Sequence, residues 1–119
     1  MAKSTVAKAG PPIKVLIVDD DEAHAETVAD SLSSVGYECT VATSGNAGAA
    51  MLERDAFEVI VTDLRMKDTH GLELLERAKA VLPAAEVLVV TGHGPVQSAV
   101  EAMQQGAFNY LLKPLDLTQ

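Results

Sequence analysis

The sequence predicts an α/β domain in which a parallel five-stranded sheet is wrapped by helices on both faces. Short β-branched apolar runs alternate with longer stretches of helical spacing, the pattern of strands joined by crossover helices. The three inner runs are also apolar at nearly every position, as strands covered on both faces require. The runs are Ile13 to Val18 (IKVLIV), Tyr37 to Val41 (YECTV), Val59 to Thr62 (VIVT), Val87 to Thr91 (VLVVT) and Asn109 to Leu112 (NYLL). Asp21 is placed to cap a first helix whose stripe Val28, Leu32 and Val35 ends at Gly36, a residue suited to a left-handed stop. A second helix follows Ser44 and Gly45 and sets Ala47, Ala50 and Met51 on one face. The third begins at Gly71, carries Leu72, Leu75, Ala78 and Leu82, and ends before Pro83; the fourth opens at Pro95, carries Val96, Ala99, Val100 and Met103, and stops at Gly106.

Length and composition bound the function. The 119 residues, 48% apolar and 22% charged, suit one domain, since domains cluster at roughly 100 to 150 residues. Nine basic against 17 acidic residues give a net charge of −8, which opposes direct binding to nucleic acid or to anionic membrane surfaces. The single cysteine, Cys39, has no partner for an intrachain disulfide and reads as a small core residue, so the reducing cytoplasm is the expected compartment. No apolar run approaches the ~20 residues of a membrane span. Residues 1–12 hold Lys3 and Lys8 but no apolar stretch of a signal peptide, and read as a disordered lead closed by Gly10, Pro11 and Pro12. Residues 13–119 form the domain.

In open parallel sheets the functional crevice lies at the carboxyl ends of the strands. Asp19 and Asp20 follow the first run, Asp63 the third, Thr91 ends the fourth, and Lys113 follows the fifth. Crowded carboxylates repel one another unless a cation sits among them, and hard oxygen ligands suit magnesium, or manganese in its place. With the cluster partly neutralised, one carboxylate can attack phosphorus while the hydroxyl and ammonium hold the phosphoryl oxygens.

Four segments carry a family resemblance: VDDD at 18–21, VTDLRM at 61–66, TGHG at 91–94 and LLKPLD at 111–116. In order, each at a strand end, they resemble the receiver domains of two-component response regulators from Ile13 to Asp116. The resemblance implies a flavodoxin-like doubly wound sheet of order 2-1-3-4-5. It also implies a magnesium-dependent signalling switch, not an enzyme acting on outside substrates, that takes a phosphoryl group from a sensor histidine kinase. By position Asp63 is similar to the phosphoacceptor and Asp19 and Asp20 to the acidic metal pair, with the Arg65 backbone carbonyl as a further ligand. Thr91 is similar to the switch hydroxyl, Tyr110 to the rotating aromatic and Lys113 to the phosphate-pairing lysine; the Lys113-Pro114 bond is cis in the family. The stretch 99–116 (AVEAMQQGAFNYLLKPLD) resembles receivers of nitrogen-regulation-type transcription activators. In those an AAA+ ATPase and a DNA-binding domain follow, neither of which is in this sequence.

Several residues carry plainer readings. Asp21 reads as a helix cap. His24, His70 and His93 are not spaced as a metal set and read as exposed. Tyr110 also suits simple packing. An aspartyl-nucleophile phosphatase would share the carboxylates but needs an insertion to build a substrate pocket, and a pseudo-receiver would lack the Asp or the Lys. Lys67 and His70 stand where the family has a proline and an acidic residue, which predicts a less rigid, less acidic loop after Asp63. Arg65 and His93 lie where the family places groups that tune hydrolysis. The family's fifth helix would follow residue 113, so its absence here predicts a bare apolar face around the last three strands, and with it either lowered stability or cover by a second copy.

Overall fold

In a computed structural model the described residues are 11–68, 70–92 and 96–112, without the side chains of 96–98 and 112. The order is β1 (Lys14–Val18), α1 (Glu22–Ser33), β2 (Glu38–Ala42), α2 (Gly45–Arg54), β3 (Val59–Asp63), α3 (Gly71–Val81), β4 (Glu86–Thr91), α4 (Val96–Gln104) and β5 (Asn109–Leu112). The four strand pairings among the described residues are parallel and the strand order is β2-β1-β3-β4-β5, the doubly wound arrangement expected. Four helices lie among the described residues. The expected disordered lead falls outside them except for Pro11 and Pro12, as do His93, Lys113 and Pro114.

Alternation along the strands divides the core in two. Leu16, Val18, Ile60, Val87 and Val89 meet Leu52 of α2, Leu74, Leu75 and Ala78 of α3, and Ala102 of α4. On the opposite face Val15, Ile17, Val61 and Val90 meet Ala25 and Val28 of α1. Cys39, expected in the core, packs half-buried against this second cluster. On the same face Val61 and Val90 are buried and Val59 and Leu88 half-buried, so the apolar surface expected to be bare is only partly exposed.

The helix ends follow local chemistry. Asp21 accepts from the His24 backbone N–H, and Ser44 accepts from that of Ala47. After α1, Gly36 adopts φ 104° while the Tyr37 N–H donates back to the Leu32 carbonyl at 3.2 Å, which terminates the helix. That termination corrects one expectation: Val35 lies in the turn, 70% exposed, and is no part of the buried stripe. Two helix faces are also rotated from those expected. In α2 Ala47 and Met51 pack half-buried against the core as expected, but Ala50 is exposed and the fully buried side is Gly45, Gly48 and Leu52; a Cβ at Gly48 would crowd Val18 at 2.8 Å, and only glycine allows that approach. In α4 the small Ala102 faces the sheet, leaving Val100 and Met103 each 48% exposed.

These assignments separate buried from exposed leucine-sized side chains. Leu75→Ala should cost about 2–5 kcal/mol in urea unfolding, whereas Met103→Ala should stay within about 0.5 kcal/mol of the parent. A comparable loss at both positions would mean that α4 packs by the other face.

Candidate functional site

The crevice forms where β1, β3 and β4 end. Because β1 and β3 are adjacent and in register, Val18 lies opposite Thr62, and the aspartates that follow them emerge side by side. Ligand oxygens of Asp19, Asp20 and Asp63 all lie within 4.8 Å of one another. Asp19 and Asp63 are 3% and 8% exposed, while Asp20 is open to solvent. Thr91 is buried at the end of β4, one residue beyond Val90, the partner of Asp63 in the sheet. Tyr110 on β5 is opposite Val89, and its phenol oxygen is buried without a hydrogen-bond partner. Burial pushes that phenol up from its ordinary pKa of 10.0, partly countered by the Arg65 guanidinium. Of the expected site residues, Asp19, Asp20 and Asp63 therefore converge, and Thr91 ends the strand next to that of Asp63. Arg65 is exposed at the start of the following loop, and Lys113 lies outside the described residues.

The donor set fits a hard divalent cation. Three carboxylates within one small radius are expensive to keep charged together, and oxygen ligands of this kind match magnesium or calcium chemistry. Backbone donors already order the cluster: the Asp21 N–H bonds Asp19 Oδ1 at 2.9 Å, and the Lys67 N–H bonds Asp20 Oδ2 at 3.0 Å. A proline at 67 would have no N–H to give.

The loop between β3 and α3, expected to be loosened by the lack of that proline, is tied at further points. Asp68 accepts from the Gly45 N–H at 3.0 Å and the Asn46 N–H at 2.9 Å, bridging the loop to the positive N-terminus of α2. His70 Nδ1 accepts from the Leu72 N–H at 3.2 Å and so caps α3. Gly71 packs on the backbone of the Asp63 turn, where a Cβ would overlap the Asp63 carbonyl oxygen and sit 2.8 Å from Leu64 Cα. The reading of His24 as exposed is corrected: its ring is largely covered and its Nδ1 lies 2.9 Å from Asp19 Oδ2. The signal available in the sequence was proximity, since His24 stands five residues after Asp19, just past the Asp21 cap. Asp68 had no comparable signal, because its partners lie 22 and 23 residues away.

Residues 15–119 match the response regulator receiver domain family. The chain is 38% identical over 104 residues to the transcriptional regulatory protein ZraR of Escherichia coli, covering 87% of this chain and 24% of that protein. It is 36% identical over 116 residues to the photosynthetic apparatus regulatory protein RegA of Rhodobacter capsulatus, covering 98% of this chain and 63% of RegA. Among solved structures, a Burkholderia pseudomallei response regulator with a phosphorylated aspartic acid, a calcium ion and citrate superposes with TM-score 0.83 at 34% identity, over 87% of this chain and 61% of that one. The beryllofluoride-activated NtrC4 receiver domain dimer superposes with TM-score 0.81 at 34% identity, over 87% of this chain and 85% of that one. The chain belongs to the response regulator receiver domains of two-component signalling, and it resembles those of nitrogen-regulation-type activators. It spans about a quarter of the length of ZraR and less than two thirds of that of RegA.

The Asp68 tie gives a pH signature. Its two backbone hydrogen bonds, first from Asn46 and then from Gly45, hold the carboxyl below its ordinary value of 3.8. A depressed carboxyl contributes stability that is present above the unfolded value and is lost as pH falls through the lower folded value. The urea midpoint of Asp68→Ala should therefore fall below that of the parent at neutral pH, and the gap should close only in acid, below pH 3.8. A gap that stays undiminished well below pH 3.8, with both proteins still folded, would contradict the tie.

Proposed function

We propose that Asp63 accepts a phosphoryl group from the phosphohistidine of a sensor histidine kinase, and that the resulting phosphoaspartate switches a transcription-regulating output in the cytoplasm. The observation that carries this reading is the convergence of Asp19, Asp20 and Asp63 beside buried Thr91. The phosphorylated aspartic acid and calcium ion of the Burkholderia relative support it. Asp19, Asp20, Asp63 and the Arg65 carbonyl would hold magnesium or manganese, which supplies charge neutralisation for an anionic nucleophile approaching an anionic phosphoryl group. An Asp63 carboxylate oxygen attacks phosphorus; its P–O bond forms as the P–N bond to the imidazole breaks, and the electron pair returns to that nitrogen, which takes a proton. Thr91 and Lys113 hold the phosphoryl oxygens, the hydroxyl by donation and the ammonium by charge. Movement of Thr91 toward the phosphoryl group frees space beside it for Tyr110 to turn inward, passing the change to the surface of α4 and β5. Arg65 screens the phosphoaspartate from water. The output is an AAA+ ATPase and DNA-binding region of a longer parent protein, and the chain's own chemistry is confined to gaining and losing its phosphoryl group.

Incubation with acetyl phosphate and magnesium, followed by intact mass, tests the reading. One phosphoryl-sized gain is expected; Asp63→Asn should abolish it, and Asp20→Ala should weaken both magnesium binding and labelling. Lys113→Ala should keep metal binding while disturbing the phosphorylated state, and Arg65→Ala should lose its label faster. Undiminished labelling of Asp63→Asn would overturn the assignment.

A further inference from the structure

Phosphotransfer as described gives His24 no part, yet its ring is built into the acidic corner. The side chain is 17% exposed, Nδ1 lies 2.9 Å from Asp19 Oδ2, and Nε2 is buried with no hydrogen-bond partner. Stability alone does not account for an imidazole here. A leucine at the same helix position would bury comparable surface without stranding a ring nitrogen. The local geometry instead aims the ring: Asp21 Oδ1 accepts from the His24 N–H at 3.2 Å, which fixes the first turn of α1, and the Asp21 N–H donates to Asp19 Oδ1 at 2.9 Å. Asp19 is thus held at both oxygens, by a backbone amide on one and an imidazole on the other. The cluster of mutually close ligand atoms comprises the three carboxylates and does not extend to the ring.

We propose that His24 is a positioning residue for the divalent-cation site, acting through Asp19; this rests on the reading of Asp19 as a cation ligand. A carboxylate only accepts, so Nδ1 is the donor. Each carboxylate oxygen accepts more than one contact, and the bond to Nδ1 leaves capacity on Asp19 for a cation. What the ring contributes is order. With the carboxylate already in one orientation, cation binding need not freeze it, and loss of such outer partners typically weakens metal affinity about 10–100-fold.

Calorimetric titration of magnesium and of manganese into the metal-free 119-residue chain tests this, with thermal melts in chelator beside each titration. His24→Leu should bind about 10-fold or more weakly while remaining folded. The decisive contrast is His24→Asn against His24→Gln. The asparagine amide nitrogen stands near the place of Nδ1 and should recover most of the affinity; that of glutamine reaches further and should not. A purely structural role would move the melts and leave Asn and Gln alike. The proposal is overturned if the parent binds, Asp19→Asn does not, and His24→Leu binds as tightly as the parent, or if Asn and Gln behave alike. Failure of the parent itself to bind would remove the cation site and this role together.

Discussion

Mutual repulsion among the carboxylates of Asp19, Asp20 and Asp63 is the constraint around which the functional end of this domain is organised. Their ligand oxygens share a region less than 5 Å across, with two of the three side chains buried. At about 4 Å two unit charges repel by about 4 kcal/mol for an effective dielectric near 20, a large part of the roughly 5–15 kcal/mol by which a domain is stable. The surrounding residues answer that strain with donors. The Asp21 amide and the His24 ring meet Asp19, and the Lys67 amide meets Asp20. Each of these also fixes a piece of backbone, so the charge cluster and the shape of its loops are one arrangement.

The sheet makes that arrangement possible. Parallel register places the ends of β1 and β3 side by side, and Gly71 lets α3 start directly against the Asp63 turn. Asp68 then carries the loop across to α2, where the helix N-terminus favours an anion. On the other side, Thr91 and Tyr110 sit on β4 and β5, next to the helix whose outward face exposes Val100 and Met103. The β4 and β5 positions of Thr91 and Tyr110 thus lie between Asp63 on β3 and that exposed apolar surface.

Fold class, strand order and the clustering of Asp19, Asp20 and Asp63 at the strand ends were legible in the sequence because each has a local signal. The inner strands are continuous apolar runs, the helices have caps at Asp21 and Ser44, and the acids stand directly at strand ends. Helix faces were less legible. Val35 and Met103 fit a periodic stripe as well as Leu32 or Ala102 does, and which part of a broad apolar arc meets the sheet depends on the side-chain volume opposite it. The loop after Asp63 misled for a different reason. Absence of proline suggested slackness, but the freed Lys67 amide and the Asp68 carboxylate make tertiary bonds to residues distant in sequence, which no local pattern announces.

Stability against magnesium addresses the carboxylate constraint directly. Urea unfolding of the parent should show a midpoint that rises with added magnesium, approaching about 2.7 kcal/mol of stabilisation at 100 times the dissociation constant. Asp20→Asn, which removes one charge and keeps an acceptor for the Lys67 amide, should unfold at higher urea than the metal-free parent and respond little to magnesium. A parent indifferent to magnesium, together with a destabilised Asp20→Asn, would contradict the account.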